Sequence, residues 1–473
     1  MTECEFAVDM LTRLPYEPNG QQMQVALALA HFCCVTGKND VGGTVDRVFI
    51  LNGYAGTGKT SLISALVKTL RANRKGVVLL APTGRAAKVF NRYSGVQAST
   101  IHRHIYRNSL SGIGGPPQPK ENTDKNTVFI VDEASMIGTD SELGSNLLSD
   151  LVQYVYSGEG CRMILLGDTA QLPPVGQTES PAMSSDSLRL YGLRVTRATL
   201  TEVARQGAES GILRNATRLR RAMSLPVEKI GSIVPLSLNG YDDVRSVAGE
   251  ELPDLLDSLY RNDGAEETII ITRSNRTATQ YNIAVRTQIL GYEEELVPGD
   301  LFIAAKNNYY WTRSVKGLDF IANGESLRLV KVMGTEVCYG LRFADVMMEI
   351  ADRPGIEFAV KIVLNTLTGD SAALDRTSMQ QMYEGIAADS PDGIPPSVSR
   401  LCESPYWNAL QVKYAYAVTC HKAQGGQWKN VLVDLSYVPP DQIGYEFYRW
   451  LYTAVTRAYG RLYLINPPEE CVD

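Results

Sequence analysis

FILNGYAGTGKTSLISALVKTL, residues 49–70, sets an apolar run against a glycine-studded turn and then an amphipathic stretch. Within it GYAGTGKT fits the pattern GxxxxGK[ST] in the context that pattern requires, a buried strand before and a helix after. Gly53, Gly56 and Gly58 let the backbone aim successive N–H groups at phosphate oxygens, and the following helix adds its positive end. Lys59 is placed to reach the β and γ phosphates, Thr60 offers a hydroxyl to Mg²⁺, and Ser61 follows in the first helical turn beside the same ligand. A phosphate cradle of this kind sits at the carboxyl end of a strand in a parallel, doubly wound α/β sheet.

The strand-then-helix rhythm continues outward from this point. GVVLLAP precedes TGRAAKVFNRY, and VFIVDEASM and MILLGDTAQLPPVG carry further buried strands into polar loops. Asp132 and Glu133 fall just past one strand, where one carboxylate can hold Mg²⁺ and the other can polarise an attacking water. Gln171 lies past the next, within reach of a γ phosphate or the lytic water. Arg205 in LTEVARQ and Arg457 in LYTAVTRA are candidates to neutralise transition-state charge, although a single arginine is more often in a surface ion pair.

A chain of 473 residues exceeds what one core organises. We expect a first α/β domain over residues 1–200 and a second over 201–295 and 406–473, where TIIITRSNRTATQYNIAVR, KNVLVDLS and RLYLINPP restore the rhythm. Residues 296–405 alternate apolar and polar positions between NG and PG turns, the texture of an inserted β module. Residues 105–127, rich in Gly, Pro and Asn, form an excursion, either a plain loop or a small projection. The 46 basic and 52 acidic side chains give a net charge of −6, so any nucleic-acid contact is local and not a matter of bulk charge. The eight cysteines form no CxxC pair, which argues against a zinc or iron–sulfur site and for reduced thiols. No apolar stretch is long enough to span a bilayer, and a cytoplasmic location is the expectation.

Taken in order, these stretches resemble the motif series of superfamily 1B DNA helicases, the branch with RecD-like and Dda-like members. GYAGTGKT, APTGRAAK, STIHRHIY, VDEAS, GDTAQLPPVG, LTEVARQ, AYAVTCHKAQGGQWKNV and YTAVTRA are similar to its successive motifs. The resemblance implies two RecA-like domains with an SH3-like insertion in the second, whose start is matched by KNNYYWTRSVKGLDFIANGESLRLVKV. It implies ATP with Mg²⁺, and Gln22 as the reader of adenine, with Gln21 and Gln24 as alternatives in register. It further implies that Gln424 and Gly425 lie near the γ phosphate, and that Thr83, Thr100, His102, Thr419 and His421 contact a single-stranded backbone, with Arg273 and Asn275 as further candidates. The aromatics Tyr309, Tyr310 and Trp311 are open between base stacking and a core role. The function so implied is a monomeric ATP hydrolase that moves 5′ to 3′ on single-stranded DNA and opens duplexes bearing a single-stranded tail. The alternatives are an RNA-directed or dual-substrate helicase and a nucleotide-gated clamp that hydrolyses ATP without unwinding.

Overall fold

The computed structural model describes residues 2–34, 46–106, 119–139, 146–203, 210–225, 236–315, 318, 320–351, 355–371, 373–389, 401, 403–439 and 442–472. Its strands, in chain order, begin with β1 (Arg47–Gly53), β2 (Gly76–Ala81), β3 (Ala98–Thr100), β4 (Thr127–Val131), β5 (Arg162–Gly167) and β6 (Arg194–Leu200). These six form one parallel sheet in the order β3-β2-β4-β5-β1-β6. Because successive side chains on a strand face opposite ways, β1 feeds two cores. Phe49 and Leu51 pack with Phe6, Leu29 and Leu66, while Val48 and Ile50 pack with Phe129, Val131 and Met163 on the other face. Both faces are thus covered, which explains why these strands read as continuous apolar runs.

The second domain is also parallel. It contains β7 (Val244–Val247) and β8 (Thr268–Thr272), and after a long insertion β14 (Ala417–Thr419), β15 (Trp428–Asp434) and β16 (Ala458–Ile465), ordered β14-β8-β15-β16-β7. The insertion is a closed barrel of β9 (Leu301–Ala304), β10 (Ser326–Cys338), β11 (Leu341–Ile350), β12 (Glu357–Val363) and β13 (Leu410–Tyr414). Its pairings are antiparallel except for β12 with β13. The fold is therefore two RecA-like α/β domains with an SH3-like β barrel inserted in the second. The barrel closes through β13, beyond the expected boundary at residue 405, since the pairing that recruits β13 joins segments far apart in sequence.

Barrel and second domain share one core. Phe302, Leu327, Val346 and Val360 of the barrel join Ile270 and Leu432 of the domain in a single buried cluster. Within it Arg286 donates from Nε and Nη2 to the two carboxylate oxygens of Asp300, each at 2.9 Å, and both residues are buried. Tyr416 Oη and the Val297 amide also donate to Asp300, at 3.0 Å each. Tyr309 stacks on Phe320 at 4.9 Å, Trp311 Nε1 donates to the Asn408 carbonyl, and Tyr310 Oη donates to that of Glu403, all three side chains being half-buried. The excursion is closed at its base by a bridge between Tyr106 and Pro119, and residues 107–118 lie outside the described residues.

Candidate nucleotide site in the inter-domain cleft

Three adjacent strands, β4, β5 and β1, end side by side, and a spacing of about 4.8 Å between neighbours puts their loops within about 10 Å of one another. That adjacency brings together Asp132 and Glu133 after β4, Asp168 after β5 and the glycine turn after β1. Gly56 and Gly58 have φ of +74° and +78°, in the left-handed region that other residues adopt only with strain. A β-carbon at Gly58 would in addition run into the Tyr16 hydroxyl and the Gln22 amide. Helix Lys59–Ala72 begins directly after that turn, with Thr60 and Ser61 in its first turn, and Lys59 Nζ donates to the Gly167 carbonyl at 3.1 Å.

The structure separates the three glutamines. Gln22 is buried, donates to the Thr57 carbonyl at 3.0 Å and to Tyr16 Oη at 3.3 Å, and so lies against the P-loop. Gln21 instead binds Thr201 and the Glu202 amide, and Gln24 is exposed.

The acidic side of the pocket is tense. Glu133 has φ +51°, unusual for a residue with a side chain, and costs on the order of 1–3 kcal/mol of backbone strain. Burial, opposed by Lys59 and aided by the Glu133 charge, pushes the Asp132 carboxyl up to about 6. Glu133 Oε2, Ser135 Oγ and Gln171 Oε1 are buried with no hydrogen-bond partner. An unpaired buried polar atom costs about 1–3 kcal/mol, so a ligand that brings both donors and acceptors to this spot recovers that energy. Magnesium nucleotide is such a ligand. Asp132 and Thr60 offer the carboxylate and hydroxyl through which Mg²⁺ would be held together with phosphate oxygens.

The second domain meets this pocket through helix Tyr445–Val455 and helix Gly211–Met223. The Ala55 amide of the P-loop donates to Tyr452 Oη at 2.9 Å, and that hydroxyl donates to Asp168 Oδ2 at 2.6 Å. The Leu172 amide donates to Thr453 Oγ1 at 2.8 Å, and Gln424 Nε2 donates to the Leu172 carbonyl at 2.7 Å. Arg449 is buried and donates to the carbonyls of Gln171, Thr178 and Thr169 at 3.0, 2.8 and 3.4 Å. Arg220 lies over the Tyr54 ring, 4.4 Å from its centroid.

Arg457 is buried in its own domain, donating to the carbonyls of Thr453 at 3.0 Å and Gly426 at 3.4 Å. It stands about one helical turn past Tyr452, so delivery of its guanidinium to a phosphate needs a side-chain swing as well as closure. Arg205 lies outside the described residues. Sequence reading missed Tyr452, Arg449 and Arg220. A signal existed for the first two: Arg449, Tyr452 and Thr453 recur at i, i+3 and i+4, a polar stripe on a largely buried helix.

The residues expected to face a nucleic-acid strand are more scattered. Thr83 and Thr100 cap helices, accepting from the amides of Ala86 at 3.2 Å and Arg103 at 3.3 Å. Gly425 lies close by, where a β-carbon would meet Ala86 and Thr83 Oγ1 at 2.9 and 3.1 Å. His102 packs against Tyr106 and Phe320 at ring distances of 5.5 and 6.3 Å, and burial lowers its pKa to about 4. Thr419 and Asn275 line a small pocket with Lys413 and Lys422. His421 is exposed, and Arg273 donates to Gln442 Oε1 at 2.8 Å. The structure thus gathers the P-loop, Asp132, Glu133 and Gln171 at adjoining strand ends, keeps Arg457 within its own domain and leaves the strand candidates dispersed.

Residues 39–230 match the AAA domain family and residues 414–465 the UvrD-like helicase C-terminal domain family. The chain is 27% identical to the ATP-dependent DNA helicase dda of Enterobacteria phage T4, over 59% of this chain and 62% of that protein. It is 34% identical to the ATP-dependent RecD2 DNA helicase of Deinococcus radiodurans over 36% of this chain, and spans 21% of that relative's length. A solved structure of the Bacteroides Pif1 helicase in complex with ADP-AlF3 and ssDNA aligns with 96% of this chain and 94% of that one, at 15% identity and a TM-score of 0.44. In motif series and in sequence relatives alike, the chain resembles the RecD-like and Dda-like DNA helicases of superfamily 1B.

Proposed function

We propose that this chain is an ATP-dependent DNA helicase that translocates on single-stranded DNA 5′ to 3′ and separates duplexes bearing a tail. The observation that carries the reading is the relay from the Ala55 amide through Tyr452 to Asp168, which ties the phosphate turn to the second domain. Lys59 holds the β and γ phosphates, Glu133 orients the attacking water, and Gln171 registers whether the γ phosphate is present. Thr60 and Asp132 hold Mg²⁺, which neutralises phosphate charge when bound. Gln22 fits the adenine, being the one of three neighbouring glutamines that is buried against the P-loop.

The contacts around helix Tyr445–Val455 are largely hydrogen bonds, which exchange readily, so nucleotide binding and loss can shift the second domain by small steps. Hydroxyls and backbone amides near Thr83, Thr100 and Thr419 suit phosphate contacts that ignore base sequence. Alternating grip on the two sides then converts each cycle into movement along the strand. Among the described residues no helix is long and apolar enough to cross a membrane. The test is strand separation on duplexes carrying either a 5′ or a 3′ single-stranded tail, with DNA and RNA versions of the tail. Release from the 5′-tailed DNA substrate alone is expected; hydrolysis with no strand release from either substrate would favour the clamp.

A further inference from the structure

Behind the catalytic pocket, between the loop after β5 and helix Tyr445–Val455, lies a polar cavity of about 250 Å³. Its wall includes Ser135, Gln171, Thr178, Ser180, Arg197 and Arg449. A water needs only about 10–15 Å³ of such space, so this chamber takes a tetrahedral oxyanion with room to spare.

The chemistry of the wall is unbalanced toward an anion. Arg449 is 4% exposed, yet its partners are three backbone carbonyls and the Tyr445 ring, 5.6 Å to its centroid, and no carboxylate. A guanidinium has five N–H donors, so two remain beyond those three bonds. Arg197, exposed on β6, adds a second positive charge. At the inner wall Ser135 Oγ and Gln171 Oε1 are both buried and unpaired. The serine hydroxyl can donate to a phosphate oxygen, and the glutamine oxygen can accept from a protonated one. Asp168 also borders the cavity, but its carboxylate already accepts from Tyr452 Oη at 2.6 Å and the Ala170 amide at 3.0 Å, and Glu179 is exposed. A buried cation without a counter-ion is costly, and an entering anion relieves it.

We infer that this cavity is a binding site for the inorganic phosphate product, a way station between the hydrolytic centre and solvent. The inference rests on the ATPase reading. Gln171 and Ser135 belong to both pocket and cavity, so a cleaved phosphate reaches Arg449 by moving past the residues that held it. Arg449 also ties the loop of Gln171 to the second domain, so phosphate in the cavity competes for the guanidinium that helps hold the cleft. Departure of phosphate is thereby linked to the joint between the domains.

Equilibrium dialysis of radiolabelled inorganic phosphate against the full chain, with ADP and Mg²⁺ present, tests the site directly. Arg449→Gln is expected to weaken phosphate binding at least about tenfold and Arg197→Gln about threefold, whereas Arg449→Lys, which retains the charge, keeps most of it. A purely structural role for Arg449 would make the Lys and Gln variants equally poor and leave Arg197→Gln like the wild type, which overturns the proposal. Unchanged phosphate affinity in both Gln variants overturns it as well. Absence of ATP hydrolysis by the wild-type chain is a separate result: it removes the helicase reading, while dialysis still decides whether the cavity takes phosphate.

Discussion

The second domain has two joints, and they are built from different materials. Its joint with the barrel is a continuous apolar core around the Arg286–Asp300 pair, with every Asp300 contact internal to the fold. Its joint with the first domain is mixed: Ala170 and Leu172 set a small apolar patch into the second domain's core, and around it Tyr452, Thr453, Gln424 and Arg449 hydrogen-bond to loop backbone and to Asp168, beside atoms left unpaired. Separating an apolar core exposes surface at about 25 cal/mol per Å², whereas a hydrogen bond given up to water changes the balance by only about 0.5–1.5 kcal/mol. The first joint is made to stay shut and the second to exchange partners. Barrel and second domain should accordingly move as one body against the P-loop domain.

The largest effect expected of this contrast is on stability. Asp300→Ala leaves the Arg286 guanidinium buried without its counter-ion, which should cost about 3–5 kcal/mol in denaturant unfolding of the second domain and barrel. A loss below about 1 kcal/mol would mean that water reaches the pair and that the joint is looser than its core suggests. Next comes chemistry on the other side. Lys59→Ala should reduce ATP turnover by on the order of 10²–10³ or more, with folding and weak strand binding kept, because among the described residues the lysine's hydrogen bond is to the Gly167 carbonyl, at 3.1 Å. Retained unwinding by that variant would refute the assignment of the site.

Tyr452→Phe probes the joint that should exchange. It removes the acceptor of the Ala55 amide and one donor to buried Asp168, a stability cost of about 1–3 kcal/mol, smaller than that of Asp300→Ala. Its distinctive consequence is uncoupling: ATP binding should persist while stimulation of hydrolysis by single-stranded DNA falls several-fold. Loss of both in equal measure would make Tyr452 a packing residue only.

What the sequence disclosed follows the same divide. The parallel sheets and the phosphate turn were legible because strand burial and glycine geometry are local properties, written in runs such as VFIVDEAS and GYAGTGKT. The cross-cleft roles of Arg449 and Tyr452 were not, since they depend on which loop the helix meets after folding. The same holds for β13, drawn into the barrel by pairing with β9 more than a hundred residues earlier. Thr83 and Thr100 show a third case: their chemistry suited a helix cap and a phosphate contact equally, and the structure uses both hydroxyls as caps.

The smallest expected effect concerns protons at the nucleotide edge of the cleft. Asp132 is raised to about 6 chiefly by burial, so the pocket holds its ionised carboxylate less readily than water does. Sign follows from that direction. A raised acid favours the protonated form in the folded state, so this group opposes folding increasingly as pH climbs from about 3.9 to about 6, and the penalty is complete above that. Metal works against the proton at the same oxygens. Below about pH 6 the apparent affinity for Mg²⁺ in the nucleotide complex should fall by up to about tenfold per pH unit, for one proton displaced per metal bound. Titrating Mg²⁺ at several pH values reads this slope, and Asp132→Asn gives the reference, because the phosphates' own titration is common to both proteins and cancels in the difference. A slope unchanged in Asp132→Asn would move the metal's carboxylate elsewhere, with Glu133 the neighbour to test. Tyr452, on the far side of Asp168, should leave the slope untouched, which separates the metal edge of the pocket from the joint that opens.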